Sequence, residues 1–239
     1  MVRNTSFVLL FLSWFFCFSV QAQVASPTGT VLEENGAIPD ETITLSPTES
    51  YTASAPLKMS FNANAEEKEG YTYAYEWVIY PADAPSTPLL RRFEPDTEYT
   101  FYESGAFGVK LKITYVNLED NIELEEESDP ISIVISESSL KVPNAFSPNN
   151  DGVNDVFMVT YKSLVEFEAY IFNRWGQRIY EWRFADIDKG WDGTFNGSPV
   201  KDGVYFIVIK AKGSDGIRYD IKQDINILRG LNGEISNVH

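Results

Sequence analysis

Histidine is almost missing from this sequence: there is one in 239 residues, and it is the last. Serine nucleophiles usually borrow an imidazole as their base, and zinc is usually held by histidine or cysteine, so both chemistries are excluded. Cysteine is just as scarce, with Cys17 alone. No disulfide can form within the chain, and stability has to come from packing. Positive charge is in deficit: 19 Lys and Arg face 35 Asp and Glu, for a net charge of −16. Such a surface repels phosphate backbones and anionic lipid, so nucleic acid is excluded as a partner. Glycine-rich phosphate loops of the Gly-x-Gly-x-x-Gly or Gly-Lys-Ser/Thr kind are also lacking.

The one long apolar run stands at the start. Arg3 gives a positive flank, Phe7 to Val20 is apolar apart from serines and Cys17, and Val20-Gln21-Ala22 fits a small-x-small cleavage site. Residues 1–22 are therefore expected to be a signal peptide, too short to span a bilayer, with Gln23 as the new N-terminus. Cleavage would remove Cys17, and no transmembrane segment is expected after it. Lipoprotein processing at Cys17 is disfavoured because Phe16, not a small residue, precedes it.

The acidic excess is uneven. Residues 23–140 hold 6 basic and 22 acidic residues, whereas residues 141–239 hold 12 and 13. Two parts with different surfaces are implied. Residues 23–45, rich in Ser, Thr, Pro, Gly and acids, read as a flexible linker. From residue 46 to 137 the pattern has period two. Tyr73, Tyr75, Trp77 and Ile79 alternate with Ala74, Glu76 and Val78; Phe107, Val109, Leu111, Ile113 and Tyr115 alternate with glycine, lysine and threonine; Ile131, Ile133 and Ile135 follow suit. Alternation of this kind marks half-buried strands. Between them, residues 118–129 carry seven acids in twelve positions, expected as an exposed hairpin or loop rather than a cation site.

The segments Tyr75-Glu76-Trp77 and Tyr99 to Thr114, with Gly105 and the Phe107-x-Val109-x-Leu111-x-Ile113 alternation, are similar to a PKD or related immunoglobulin-like repeat. That resemblance implies a sandwich and names no ligand. The Gly-Asp-Gly turn usual after the tryptophan strand is replaced by Val78 to Asp83.

Residues 138–229 carry more motifs. Phe167, Ala169 and Ile171 form one strand pattern, Gln177 to Trp182 a second, Val204 to Ala211 a third that is apolar on both faces and so central, and Tyr219 to Ile227 a fourth. Ser214-Asp215-Gly216 is a hairpin signal. About seven short strands are expected, packed as a sandwich. The stretch Pro143-Asn144-Ala145-Phe146-Ser147-Pro148-Asn149-Asn150-Asp151-Gly152-Val153-Asn154-Asp155, then Asn173-Arg174-Trp175-Gly176, Trp191-Asp192-Gly193 and Gly203-Val204-Tyr205-Phe206, resembles the gliding motility-associated C-terminal domain, the type B sorting domain of type IX secretion. The resemblance implies that the outer-membrane secretion machinery is the partner and that the motif residues serve sorting. It implies no catalysis. In that family the chain usually ends near Arg229; here a tail, 230–239, continues.

Three residue sets could carry chemistry. Asn149, Asn150, Asp151, Asn154 and Asp155 offer enough oxygens for a calcium ion, yet no glutamate closes the loop as in an EF-hand, and a network of Asx turns is the simpler reading. Trp175, Trp182 and Trp191 could make a carbohydrate-stacking face, against which stands a role in the core. Asp186, Asp188, Asp192 and Asp202 could include a glycoside hydrolase pair, although acids beside glycines are common in turns. The expected protein is all-β, two tandem immunoglobulin-like β-sandwiches after a signal peptide, secreted or on the cell surface and not an enzyme, its N-terminal sandwich binding a glycan or protein or serving a structural role. A carbohydrate-binding module is the alternative and a glycoside hydrolase the third reading.

Overall fold

The computed structural model describes residues 25–65, 69–117, 119 and 122–230. The signal peptide, its cleavage site and the tail after Gly230 lie outside the described residues. The N-terminal half contains β1 (Thr28–Glu34), β2 (Thr44–Leu45), β3 (Ser50–Ala53), β4 (Leu57–Asn62), β5 (Thr72–Pro81), β6 (Leu90–Arg92), β7 (Asp96–Phe101), β8 (Gly105–Asn117), β9 (Ile122–Glu127) and β10 (Ile131–Ile135). The C-terminal half contains β11 (Ser139–Lys141), β12 (Ala145–Phe146), β13 (Thr160–Lys162), β14 (Leu164–Phe172), β15 (Arg178–Arg183), β16 (Thr194–Phe195), β17 (Ser198–Pro199), β18 (Gly203–Gly213) and β19 (Arg218–Ile227). One 3-10 turn, Phe184–Asp186, is the only helical element among the described residues. The protein is all-β.

In the N-terminal half a four-stranded sheet, β2-β1-β4-β7, faces a six-stranded one, β3-β10-β8-β5-β6, with β9 also on β8. The alternation read from β5 and β8 aims Trp77, Ile79, Val109, Leu111 and Ile113 inward, where none is more than 1% exposed. Phe61 and Phe101 of the opposite sheet meet them, Phe61 and Trp77 with ring centroids 5.8 Å apart. The acidic run forms the β8–β9 arm. Its carboxylates are held by the wet face of β8: Lys110 Nζ lies 2.7 Å from Glu127 and Lys112 Nζ 2.7 Å from Glu125.

The stretch expected as a flexible linker is different. It contains β1, which pairs antiparallel with β4 over Thr28↔Asn62 to Glu34↔Leu57, and Ala25, Val31 and Leu45 are in the core. Only Gly29 and Val31 point inward from β1, and a glycine carries no hydrophobic signal. Backbone pairing with β4, not side-chain pattern, decides that strand.

In the C-terminal half a five-stranded sheet runs β12-β19-β18-β14-β15. Its inner face presents Ala169, Ile171, Ile207, Ile209, Ile225 and Ile227, each at most 1% exposed. The opposing layer is thin. It consists of the ribbon β11–β13, the hairpin β16–β17 and the segments that bear Phe157, Val159, Trp191 and Val200. Motif loops therefore double as the second layer of the sandwich. The strand expected to be buried on both faces, Val204 to Ala211, is central in the sheet but covered on one side only. Val204 and Phe206 are each 46% exposed, because the thin layer sits on the opposite face.

The halves meet through a polar seam. Ser138 donates from N (2.8 Å) and Oγ (2.9 Å) to the Asp215 carboxylate. Ser104 N donates to Ser214 O at 3.1 Å, and Ala55 N to the buried Ser163 Oγ at 3.2 Å. Gly213 makes room for this approach. A Cβ there would lie 2.4 Å from Ser138 Cβ and 2.5 Å from Asp215 Oδ1, closer than real side chains come.

Leu111→Ala should lower unfolding stability by about 2–5 kcal/mol, the range for a buried leucine lost from a tight core, whereas Lys112→Ala, one position along on the wet face, should barely move the urea midpoint. Equal shifts for the two would contradict the inward and outward assignment of β8.

Candidate functional site

The motif residues converge on one end of the C-terminal sheet, around the ring of Trp191. Its side chain is fully buried. Phe146 stands 5.4 Å away, Tyr205 5.6 Å and Tyr180 6.3 Å, centroid to centroid. Indole Nε1 donates to Thr194 O at 2.9 Å, and the backbones of Trp191 and Phe157 exchange hydrogen bonds of 2.8 and 3.1 Å. Burying an indole and satisfying its N–H at the same time fixes both the ring and the loop that bears it.

The motif segments that bear Phe146, Asp192 and Tyr205 have distinct places near that ring. Pro143 O and Asn144 O lie along β19, accepting from Gln223 Nε2 (2.8 Å) and Asn226 N (2.8 Å). Phe146 then enters the core, 4% exposed. Asp192 Oδ1 accepts from Thr194 N and Oγ1 at 2.9 and 2.7 Å. Tyr205 Oη donates to Lys201 O at 2.8 Å. Gly193 is needed where it stands: its φ is +75°, and a Cβ would lie 2.9 Å from Pro148 Cγ and 3.3 Å from Phe146 Cζ. Gly152, Gly176 and Gly203 also have positive φ, but a Cβ at any of them would meet open space, so their need for glycine is conformational.

The oxygen-rich loop is closed by its own amides. Asp155 Oδ1 accepts from Asn149 N (2.9 Å) and Asn150 N (2.6 Å), and Oδ2 from Gly152 N (2.7 Å). Asp151 Oδ1 accepts from Val153 N at 2.8 Å, and Asn149 Nδ2 donates to Asp151 Oδ2 at 2.8 Å. Asn150 and Asn154 take positive φ, 63° and 54°, which asparagine tolerates better than most residues. The amide of Gly152 above all, then those of Asn150 and Asn149, hold the Asp155 carboxyl below the ordinary aspartate value of 3.8. These contacts are those of an Asx-turn network. Among the described residues no cluster of three or more His, Cys, Asp or Glu is arranged to hold a metal.

The tryptophans divide. Trp182 and Trp191 are fully buried, with Trp182 Nε1 donating to Asp186 O at 2.8 Å. Trp175 is not in the core, contrary to the expectation for it: it is 76% exposed at the tip of the Asn173–Gln177 turn, with the Arg174 guanidinium 4.4 Å above its ring. Asn173 Oδ1 binds the amides of Trp175 and Gln177 at 3.0 Å each and so closes a turn too tight to fold its own tip inward. The three rings share no face.

The four aspartates are separately engaged. Asp186 pairs with Lys189 at 2.5 Å, Asp188 accepts from Tyr161 Oη at 2.9 Å, Asp192 holds Thr194, and Asp202 pairs with Arg229 at 2.5 Å.

Two participants were not singled out by pattern. Tyr180 Oη donates to Gly190 O at 2.5 Å, and Arg229 reaches several loops at once. Neither lies in a recognisable motif; in β15 the buried residues are Ile179 and Trp182, three positions apart, and Tyr180 between them is half-buried.

Residues 140–222 match the family described as the CHU_C Type IX secretion signal domain. No curated protein matches the chain. Similar solved structures include the chicken CNTN1 FN1–FN3 domains, at 12% identity over 80% of this chain and 72% of that one, TM-score 0.26. Dimeric latent PorU from Porphyromonas gingivalis follows at 10% identity over 85% of this chain and 20% of that one, TM-score 0.26. A tetra-tandem repeat of the extending region of a large adhesion protein gives 7% over 87% and 68%, TM-score 0.26. Scores and identities this low leave the architecture to be read from the strands themselves. The signal domain match spans every sorting motif named above, and no helix among the described residues is long and apolar enough to cross a membrane.

Two outcomes are expected. Gly193→Ala should cost about 1–2 kcal/mol from its left-handed backbone alone, and the Cβ contact adds to it; an unchanged urea midpoint would contradict the packing of Pro148. For Asp155 the amides stabilise the charged form, so its contribution is complete above 3.8 and is lost as pH falls through the lower folded value. A carbon-detected NMR titration should place its midpoint below 3.8; a midpoint at or above that value would break the link to the amides.

Proposed function

We propose that this chain is a non-enzymatic protein exported to the cell surface or medium, in which the C-terminal half is the address read by the type IX outer-membrane machinery and the N-terminal sandwich is the passenger. The division falls near residue 138. The observation that carries the reading is the match of residues 140–222 to the secretion signal domain, joined to the packing of its motif residues Phe146 and Tyr205 about the buried indole of Trp191. The passenger serves binding or a structural role outside the cell.

Recognition of the address rests on loop shape and hydrogen bonding. The loop Asn149 to Asp155 is pre-formed by its own amides, and Arg174, Trp175 and Gly176 stand out from the sheet as a rigid tip. A partner that docks on pre-formed loops loses little conformational entropy in doing so. Separate engagement of the four aspartates supports a non-catalytic role. Burial of Trp182 and Trp191 weighs against a glycan platform made from the three indoles.

Expression of the full chain in a type IX-competent host and in the same host without the outer-membrane machinery tests the reading. The protein should be found outside the first and in the periplasm of the second, and Trp175→Ala should lower the external fraction without shifting the thermal midpoint. Retention in the periplasm of the competent host would end the proposal.

A further inference from the structure

We infer that Arg229, at the far end of the module and beyond the matched stretch, assembles the separate sorting loops into one surface. The inference rests on the reading of that end of the module as the part the machinery recognises. Arg229 follows the last strand and lies seven positions beyond residue 222, where the match stops. Its side chain is only 23% exposed. Nε donates to Pro148 O at 3.1 Å, Nη1 to Val200 O at 2.7 Å and to Asp202 Oδ1 at 2.5 Å, and Nη2 reaches Gly193 O at 3.4 Å. Its backbone N also donates to Asp202 Oδ2 at 3.1 Å.

Those acceptors belong to three different motif segments: the Phe146–Asp155 loop, the Trp191–Gly193 turn and the approach to Gly203. Carbonyls in loops lack the ladder partners that strands provide and need a donor from elsewhere. One planar guanidinium supplies several N–H groups at fixed angles, so a single side chain can hold three loops in register. An exposed ion pair with Asp202 alone would contribute little; what distinguishes Arg229 is the three neutral acceptors arranged about the same group. Gly193 keeps the space for it, since a Cβ there would stand 3.3 Å from Nη2. None of the side-chain hydrogen bonds goes to β14, β15, β18 or β19, so the loops can be released while the sheet is left whole. Lysine cannot substitute, because one ammonium at the end of a flexible stem cannot face acceptors on three sides.

The experiment uses the full chain as wild type, Arg229→Ala and Arg229→Lys, with two measurements. Amide hydrogen exchange should show Ser147 and Val200, whose amides bond to Asn154 O and Gly193 O at 2.9 Å, exchanging about tenfold faster or more in both variants as local opening becomes easier. Amides of β14 and β18 should stay as protected as in the wild type. In a type IX-competent host the external fraction of both variants should fall to the background of a machinery-deficient strain. Unchanged loop exchange, equal acceleration in the sheet, full rescue by lysine, or normal secretion of the loosened variants would each overturn the inference. Failure of the wild type to leave the periplasm would instead defeat the secretion reading, and the exchange data would still decide whether Arg229 holds the loops.

Discussion

The C-terminal half depends on the seating of one indole. Trp191 is fully buried, and its ring is the common neighbour of Phe146, Tyr180 and Tyr205, so segments far apart in sequence are tied to a single point. A five-stranded sheet with only two short ribbons, β11–β13 and β16–β17, beside it would leave apolar side chains wet. The motif loops close that gap, and in closing it they acquire fixed shapes. With no cysteine outside the N-terminal segment, the chain has no covalent device for the same purpose, and apolar burial has to do it.

Several loops of the C-terminal half are pre-formed by the chain's own groups. Asp155 closes its loop on three backbone amides, Asn173 does the same for the Arg174–Gly176 tip, and Gly193 lets Pro148 and Phe146 come together. None of these groups is poised to make or break a bond. The N-terminal half obeys the same logic of packing with a different exterior: acids on β9 are matched by lysines on β8, and the surplus negative charge faces water. Hydrogen bonds from Ser104 to Ser214 and from Ala55 to Ser163 join the two, and Val165 packs against the N-terminal core.

Much of this was legible in the sequence, and the physical reason is periodicity. Strands bury every second side chain, so β5, β8, β10, β14 and β19 announce themselves through alternation. The resemblance to a sorting domain grouped Trp191, Gly193, Tyr205 and the 149–155 loop as motifs of one module. What pattern could not reach are features that depend on a partner elsewhere in the chain. The strand at Thr28–Glu34 has Gly29 and Val31 as its inward residues, which is too little to signal a strand. Trp175 and Trp191 both stand beside a turn glycine, yet one ring is fully buried and the other 76% exposed. The apolar run of β18 suggested two buried faces, but only the tertiary layer count shows that one of them has nothing on it.

The sequence by itself settled the class of fold, the scarcity of histidine and cysteine chemistry and the asymmetry of charge, because composition and period are properties of the chain alone, and its motifs carried the resemblance to a sorting domain. Only the tertiary structure decided which tryptophan is a plug and which a tip, that the supposed linker is a strand, that the motif loops act as half of a sandwich, and that Arg229 reaches three of them. Each of those outcomes turns on atoms brought within hydrogen-bond or van der Waals distance across many residues of sequence, and such proximity is written in no local pattern.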